Sequence, residues 1–197
     1  MADIFLDSSS DFLAVGVCKD ENSKLLSTTY KCWQSQSEYM LPELEKLFVQ
    51  GEINKKDIKR IFVAIGPGSY TGVRIALTIA KTIAVALNSE VFPISSLQIL
   101  QKENEKSICL MDARSGRSYF AVYDNDRVIE NDQIRTNDQV KEYINEHPDY
   151  AVCGNVKQLG LDLKPNDVNV IENMYRLRNS FAKIDNPLSL KPVYMKG

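Results

Sequence analysis

Residues 61–65, Ile-Phe-Val-Ala-Ile, form an unbroken apolar run that ends on Gly66-Pro67-Gly68-Ser69-Tyr70-Thr71-Gly72-Val73-Arg74. An apolar run without polar alternation fits a strand buried on both faces, as in a parallel sheet covered by helices. Beyond the glycines, Ala76, Ile79, Ala80, Ile83, Ala84 and Leu87 recur at offsets of three, four, seven, eight and eleven. That spacing is one face of a helix, and Asn88 stands where a left-handed stop is tolerated. Buried strand, tight turn and helix in this order restrict the chain to an α/β architecture.

The start of the chain extends this plan. Residues 4–6 and 12–17 are short apolar runs separated by Asp7-Ser8-Ser9-Ser10-Asp11, side chains that favour turns, so a β-hairpin opens the fold. Residues 24–31 add a third strand. Ser35 and Glu38 have the spacing of a capping box, and Met40, Leu41, Leu44, Leu47 and Phe48 share a face, predicting a helix from about Ser35 that Pro42 kinks or restarts. A short strand at 91–93 and a helical segment at 96–101 lead to the charged stretch 102–106. Residues 107–123 then repeat the opening as strand, aspartate, small polar turn and strand, with Asp7 and Asp112 in equivalent places 105 residues apart. The expected fold is α/β with two tandem ribonuclease-H-like halves, 1–101 and 102–197, the plan of actin-like ATPases and sugar kinases. Residues 155–187 carry little periodicity and predict loops with one weak helix.

With 24 Lys plus Arg against 26 Asp plus Glu and a net charge of -2, the chain has no electrostatic footprint for gripping a polyanion unaided. Cys18, Cys32, Cys109 and Cys153 lie 14, 77 and 44 apart, which fits buried thiols better than a zinc site. The opening residues MADIFLDSSS do not read as a signal peptide, and the uncharged run 61–73 is too short to span a bilayer, so a cytoplasmic address without a membrane segment is expected.

The loop between strand and helix admits two readings. Its amides and the helix dipole point toward one concave spot where an anion could sit, involving Gly66, Gly68, Ser69, Thr71, Gly72 and Arg74. Alternatively the glycines permit a tight turn, Ser69 or Thr71 caps the helix, and Arg74 pairs locally. Neither the Walker nor the dinucleotide spacing is present. Asp7 and Asp112 sit where actin-like ATPases arrange magnesium and water, yet carboxylates at such turns equally cap them. The single histidine, His147, stands before Pro148 in a polar stretch and reads as an exposed loop residue.

The nine-residue loop is similar to the signature of the TsaB (YeaZ) family. The resemblance extends to residues 4–9, Ser37-Glu38-Tyr39-Met40-Leu41-Pro42, Ser95-Ser96-Leu97, Asp112-Ala113-Arg114 and Pro192-Val193-Tyr194. Ser8, Gln36 and Arg117 depart from the family pattern, and the second half is abbreviated. The resemblance implies a noncatalytic scaffold and activator that binds TsaD, the subunit that transfers threonylcarbamoyl to the adenosine beside the anticodon of tRNA. It further implies that the ATPase TsaE docks on the pair, that the chain forms a homodimer when alone, and that tRNA is engaged only through the complex. No metal or cofactor of its own is expected, with ATP or ADP and magnesium at the partner joint. TsaD-like proteins hold a metal through His-x-x-x-His, which a chain with one histidine lacks.

Partner-facing residues follow from the same resemblance. Val73, Ile75, Val85 and Ala86 lie off the main stripe of the second helix, more apolar surface than one face uses. In the family the two helices pair with those of TsaD, which marks Tyr39, Met40, Leu44, Leu47, Phe48, Val73, Ile75, Ile79 and Ile83 as interface candidates. Two other classes stay open: a stand-alone actin-like ATPase or kinase working through Asp7 and Asp112, and a self-associating structural protein.

Overall fold

The computed structural model describes residues 1–162 and 168–195. β1 (Ala2–Asp7), β2 (Phe12–Cys18) and β3 (Leu26–Lys31) form an antiparallel meander, followed by α1 (Gln36–Gln50), β4 (Ile58–Ala64), α2 (Tyr70–Leu87) and β5 (Glu90–Ile94). β4 pairs parallel to β1, and β5 parallel to β4, so the sheet reads β3-β2-β1-β4-β5. β6 (Lys106–Arg114), β7 (Arg117–Asp124), β8 (Arg127–Thr136), α3 (Asn137–Glu146) and β9 (Ala151–Gly154) build a second sheet, β8-β7-β6-β9. Its pairings repeat the first four strands of the first sheet, two antiparallel and one parallel, without a counterpart of β5 among the described residues. The two ribonuclease-H-like units expected from the repeat are therefore present, the second shorter.

Alternation along the strands divides the first core. Ile4, Leu6, Val15, Ile61 and Val63 face α1 and α2, while Phe5, Ala14, Phe62 and Ala64 face the opposite side. There Phe5, Phe62 and Phe92 stack at 5.0 and 4.8 Å between ring centroids. α4 (Val170–Leu177) returns from beyond the second sheet to cover this side with Ile171 and Met174. β4 is thus buried on both faces, as its unbroken apolar run requires.

Several local expectations need correction. Ser35 occupies the cap position of α1, but its side chain makes no capping bond; its carbonyl accepts the Glu38 amide instead. The helix runs through Pro42 without a restart, and both Pro42 and Glu38 face solvent. Water can therefore satisfy the carbonyl that proline leaves without a donor. Ala76, Ala80 and Ala84 bring α2 close to its own sheet. The segment 96–101 contains only a single 3-10 turn, Gln98–Leu100.

His147 is not an exposed loop residue. It ends α3 half-buried, its ring stacked on Tyr143 at 4.2 Å and tilted against Tyr150 at 4.7 Å. Among its described residues, which leave out 163–167, the stretch 155–187 holds one α-helix as expected, but α4 is strongly amphipathic and structural. By length and composition α2 would suffice to cross a membrane. Arg74 and Lys81 break its uncharged run, and in the fold its apolar face lies on β1 and β4.

Candidate functional site

The loop after β4 is held by three other segments. The Ser69 amide donates to the Ser9 carbonyl at 2.7 Å, and Ser8 Oγ donates to the Gly72 carbonyl at 2.7 Å. After β5, Ser96 Oγ accepts the Gly66 amide at 3.1 Å while the Ser96 amide donates to the Gly66 carbonyl at 2.9 Å. From the far end of the described chain, the Val193 amide donates to the Ile65 carbonyl at 2.8 Å.

Close approach explains the glycines. A Cβ on Gly68 would lie 2.3 Å from the Ser9 carbonyl oxygen, and one on Gly72 only 1.8 Å from that of Ser8. Met111, at the end of β6, reaches the same place, 3.1 Å from a Cβ on Gly68, so the second sheet also touches the loop. Ser69, rather than Thr71, caps α2: its Oγ accepts the Gly72 amide at 3.2 Å, and its carbonyl accepts that of Val73 at 2.9 Å. Thr71 is exposed. Arg74 pairs locally, donating to Tyr70 Oη at 2.8 Å, and Tyr70 stacks on Tyr194 at 5.0 Å.

The two aspartates share one geometry and differ in environment. Asp7 Oδ1 accepts the Ser9 amide at 2.8 Å, and Asp112 Oδ1 accepts the Arg114 amide at 2.7 Å, the same bond two residues on. Asp7 is buried, and that burial pushes its carboxyl above the ordinary range against the opposing pull of its bonds to Ser9. Asp112 is exposed. The four thiols are free and buried. Burial raises Cys153 to about 11, which keeps it protonated and unreactive at neutral pH.

The interface candidates separate by burial. Met40, Leu44, Leu47, Phe48 and Val73 are core residues, each 6% exposed or less, so they cannot meet a partner in this fold. The four on α1 face the sheet because that is where the helix buries most area, and Val73 is buried in the first turn of α2. Tyr39 is exposed at 46%, and Ile75, Ile79 and Ile83 are half-buried beside exposed Thr78, Thr82, Val85 and Ala86. Ser96, Val193 and Tyr194 were legible only as members of motifs; nothing in their spacing places them against Gly66 and Tyr70.

The TsaD family, described as tRNA N6-adenosine threonylcarbamoyltransferase, matches residues 31–160. A protein of Buchnera aphidicola subsp. Schizaphis graminum, "tRNA threonylcarbamoyladenosine biosynthesis protein TsaB", is 31% identical over 131 residues, 62% of this chain and 61% of that protein. The chain thus spans less than two thirds of that relative's length. "Uncharacterized protein MG208" of Mycoplasma genitalium is 30% identical over 166 residues, 83% of this chain and 78% of the relative. The structure of YeaZ from Pseudomonas aeruginosa superposes with a TM-score of 0.75 at 19% identity, covering 98% of this chain and 99% of that one.

Duplicated sheets with this strand order, joined at a glycine loop, define a protein of the actin-like, ribonuclease-H-like class. Within that class the chain belongs to the TsaD family and to its TsaB (YeaZ) branch.

Proposed function

We propose that this chain is a noncatalytic scaffold and activator in the synthesis of threonylcarbamoyladenosine in tRNA, docking a TsaD-type transferase through the outer side of α2. The observation that carries the reading is the row Ile75, Ile79, Ile83, Val85 and Ala86, which the chain's own fold leaves partly or fully uncovered. Thr78 and Thr82 lie among them, and Thr82 Oγ1 donates to the Thr78 carbonyl at 2.9 Å, so these small polar groups are partly satisfied within the helix. Such a face suits close packing against another helix. Tyr39 on α1 adds an exposed aromatic side chain.

The chemistry of the loop supports a noncatalytic role. The amides of Gly66, Ser69, Gly72 and Val73 donate to protein oxygens, and the Ser8 and Ser9 carbonyls fill the space over Gly72 and Gly68. These residues do not fit a nucleotide site of their own. ATP or ADP with magnesium at the joint therefore belongs to the partner's side, and tRNA and a TsaE-type ATPase meet the pair rather than this chain alone. Without the transferase, the same face pairs two copies.

Copurification with a TsaD-type protein, followed by a tRNA modification assay with and without this chain, tests the reading. A heterodimer that forms at the expense of the homodimer, and modification that depends on the chain, are expected. Magnesium-dependent ATP turnover by the isolated chain, lost in Asp7→Asn, or a dimer unmoved by added transferase, would overturn it.

A further inference from the structure

Ser95 and Ser96 follow β5 and face opposite ways. Ser96 grips the first residue of the loop through both the amide and the carbonyl of Gly66. Ser95 Oγ donates to Asp132 Oδ2 on β8 at 2.5 Å and accepts the amides of Leu97 at 3.1 Å and Gln98 at 3.4 Å. The other carboxylate oxygen, Asp132 Oδ1, accepts the Tyr123 hydroxyl of β7 at 2.9 Å. Removal from water raises the Asp132 carboxyl above the ordinary range, against the pull of both hydroxyls. A carboxylate held in this way at a joint between sheets fixes relative position, because both its oxygens are committed to donors of known direction.

We infer that Ser95, Ser96 and Asp132 are positioning residues that tie the second sheet to the loop from which α2 starts. Adjacent residues cannot move independently, so a displacement of β8 that pulls Ser95 also pulls Ser96 and hence Gly66. The link crosses the two halves away from the outer row of α2, and it is separate from the Met111 contact at Gly68. Its consequence rests on the docking reading above: a partner seated on α2 senses the position of the second sheet through this pair.

Amide hydrogen exchange on the whole chain tests the link without any partner. In Asp132→Ala and in Ser95→Ala, the amides of Gly66, Gly72 and Val73 are expected to exchange about tenfold faster, the scale of one lost charge-assisted hydrogen bond. Amides of β1 stay at the wild-type rate, and Ser95→Thr, which keeps the hydroxyl, restores the loop. Tyr123→Phe leaves the Ser95 bond in place and moves the loop less. Loop amides unchanged in a folded Asp132→Ala protein, or a uniform rise that includes β1, would overturn the inference. If Asp132→Ala does not fold, Ser95→Ala and Ser95→Thr decide alone. Affinity for a TsaD-type partner is measured in parallel. A loosened loop with unchanged affinity overturns the transmitted consequence, whereas no binding by the wild-type chain overturns the docking reading and leaves the link standing.

Discussion

Replacing Gly72 by alanine sets two ordinary rules against each other. Gly72 lies in the first turn of α2, where alanine gains about 1 kcal/mol in helix propensity. Its added Cβ, however, would sit 1.8 Å from the Ser8 carbonyl oxygen and 3.0 Å from the carbonyl carbon. Relief requires the β1–β2 turn to retreat by more than about 1 Å to ordinary van der Waals separation. That turn is tied to the loop by Ser69 to Ser9 and by Ser8 to Gly72, both 2.7 Å bonds. Losing either costs about 1 kcal/mol, and overpacking adds about 1–3 kcal/mol. If both bonds go, about 2 kcal/mol of hydrogen bonding is lost, so after subtracting the propensity gain Gly72→Ala destabilises by about 2–4 kcal/mol. Urea unfolding should show a lower midpoint at an unchanged slope. Gly116→Ala is the control: nothing lies within 4 Å and φ is +70°, so only the left-handed backbone costs, about 1 kcal/mol. A Gly72→Ala protein as stable as wild type, or a control that loses more, would refute the close-approach argument.

Leu44→Asp is expected to unfold the chain, with a loss above about 4 kcal/mol for a charge buried in the α1 core, whereas Val85→Asp on the exposed side of α2 should leave the unfolding free energy within about 1 kcal/mol and weaken transferase capture at least tenfold. Asp3 holds Arg60 through two bonds, 2.8 and 2.6 Å, so Asp3→Ala strands a largely buried guanidinium and should cost about 2–4 kcal/mol in thermal unfolding. For Asp7 the raised carboxyl means that the folded chain binds its proton more tightly than the unfolded one. That contribution is complete below the ordinary carboxylate range and is lost as pH rises through the raised value. Asp7→Asn, neutral throughout, should therefore be the more stable form at neutral pH and converge with wild type on acidification. A gap that widens toward acid pH would contradict this.

Much of the fold was legible because local patterns and burial agreed. The unbroken run in β4, the apolar stripe of α2 from Ala76 to Leu87 and the Asn88 stop all describe one environment, and the duplicated aspartate turns gave away the second half. α3 was missed although Thr136 and Gln139 form a capping box with both bonds made, since its short polar sequence has few apolar residues to show a period. The stripe of α1 carried no such information for the opposite reason: an apolar stripe looks the same whether a sheet or a partner covers it, and here β2 and β3, with α2 alongside, cover it.

The amino-acid order by itself determined the class of fold, the repeated aspartate turns at 7 and 112, and the family, because these depend on neighbours along the chain. Which glycine touches which carbonyl, which way an apolar stripe points, and that residues 66, 96, 132 and 193 share one joint were decided only by the tertiary structure. Such contacts join segments up to 127 residues apart, as between Gly66 and Val193, and no periodicity or spacing carries information over that range.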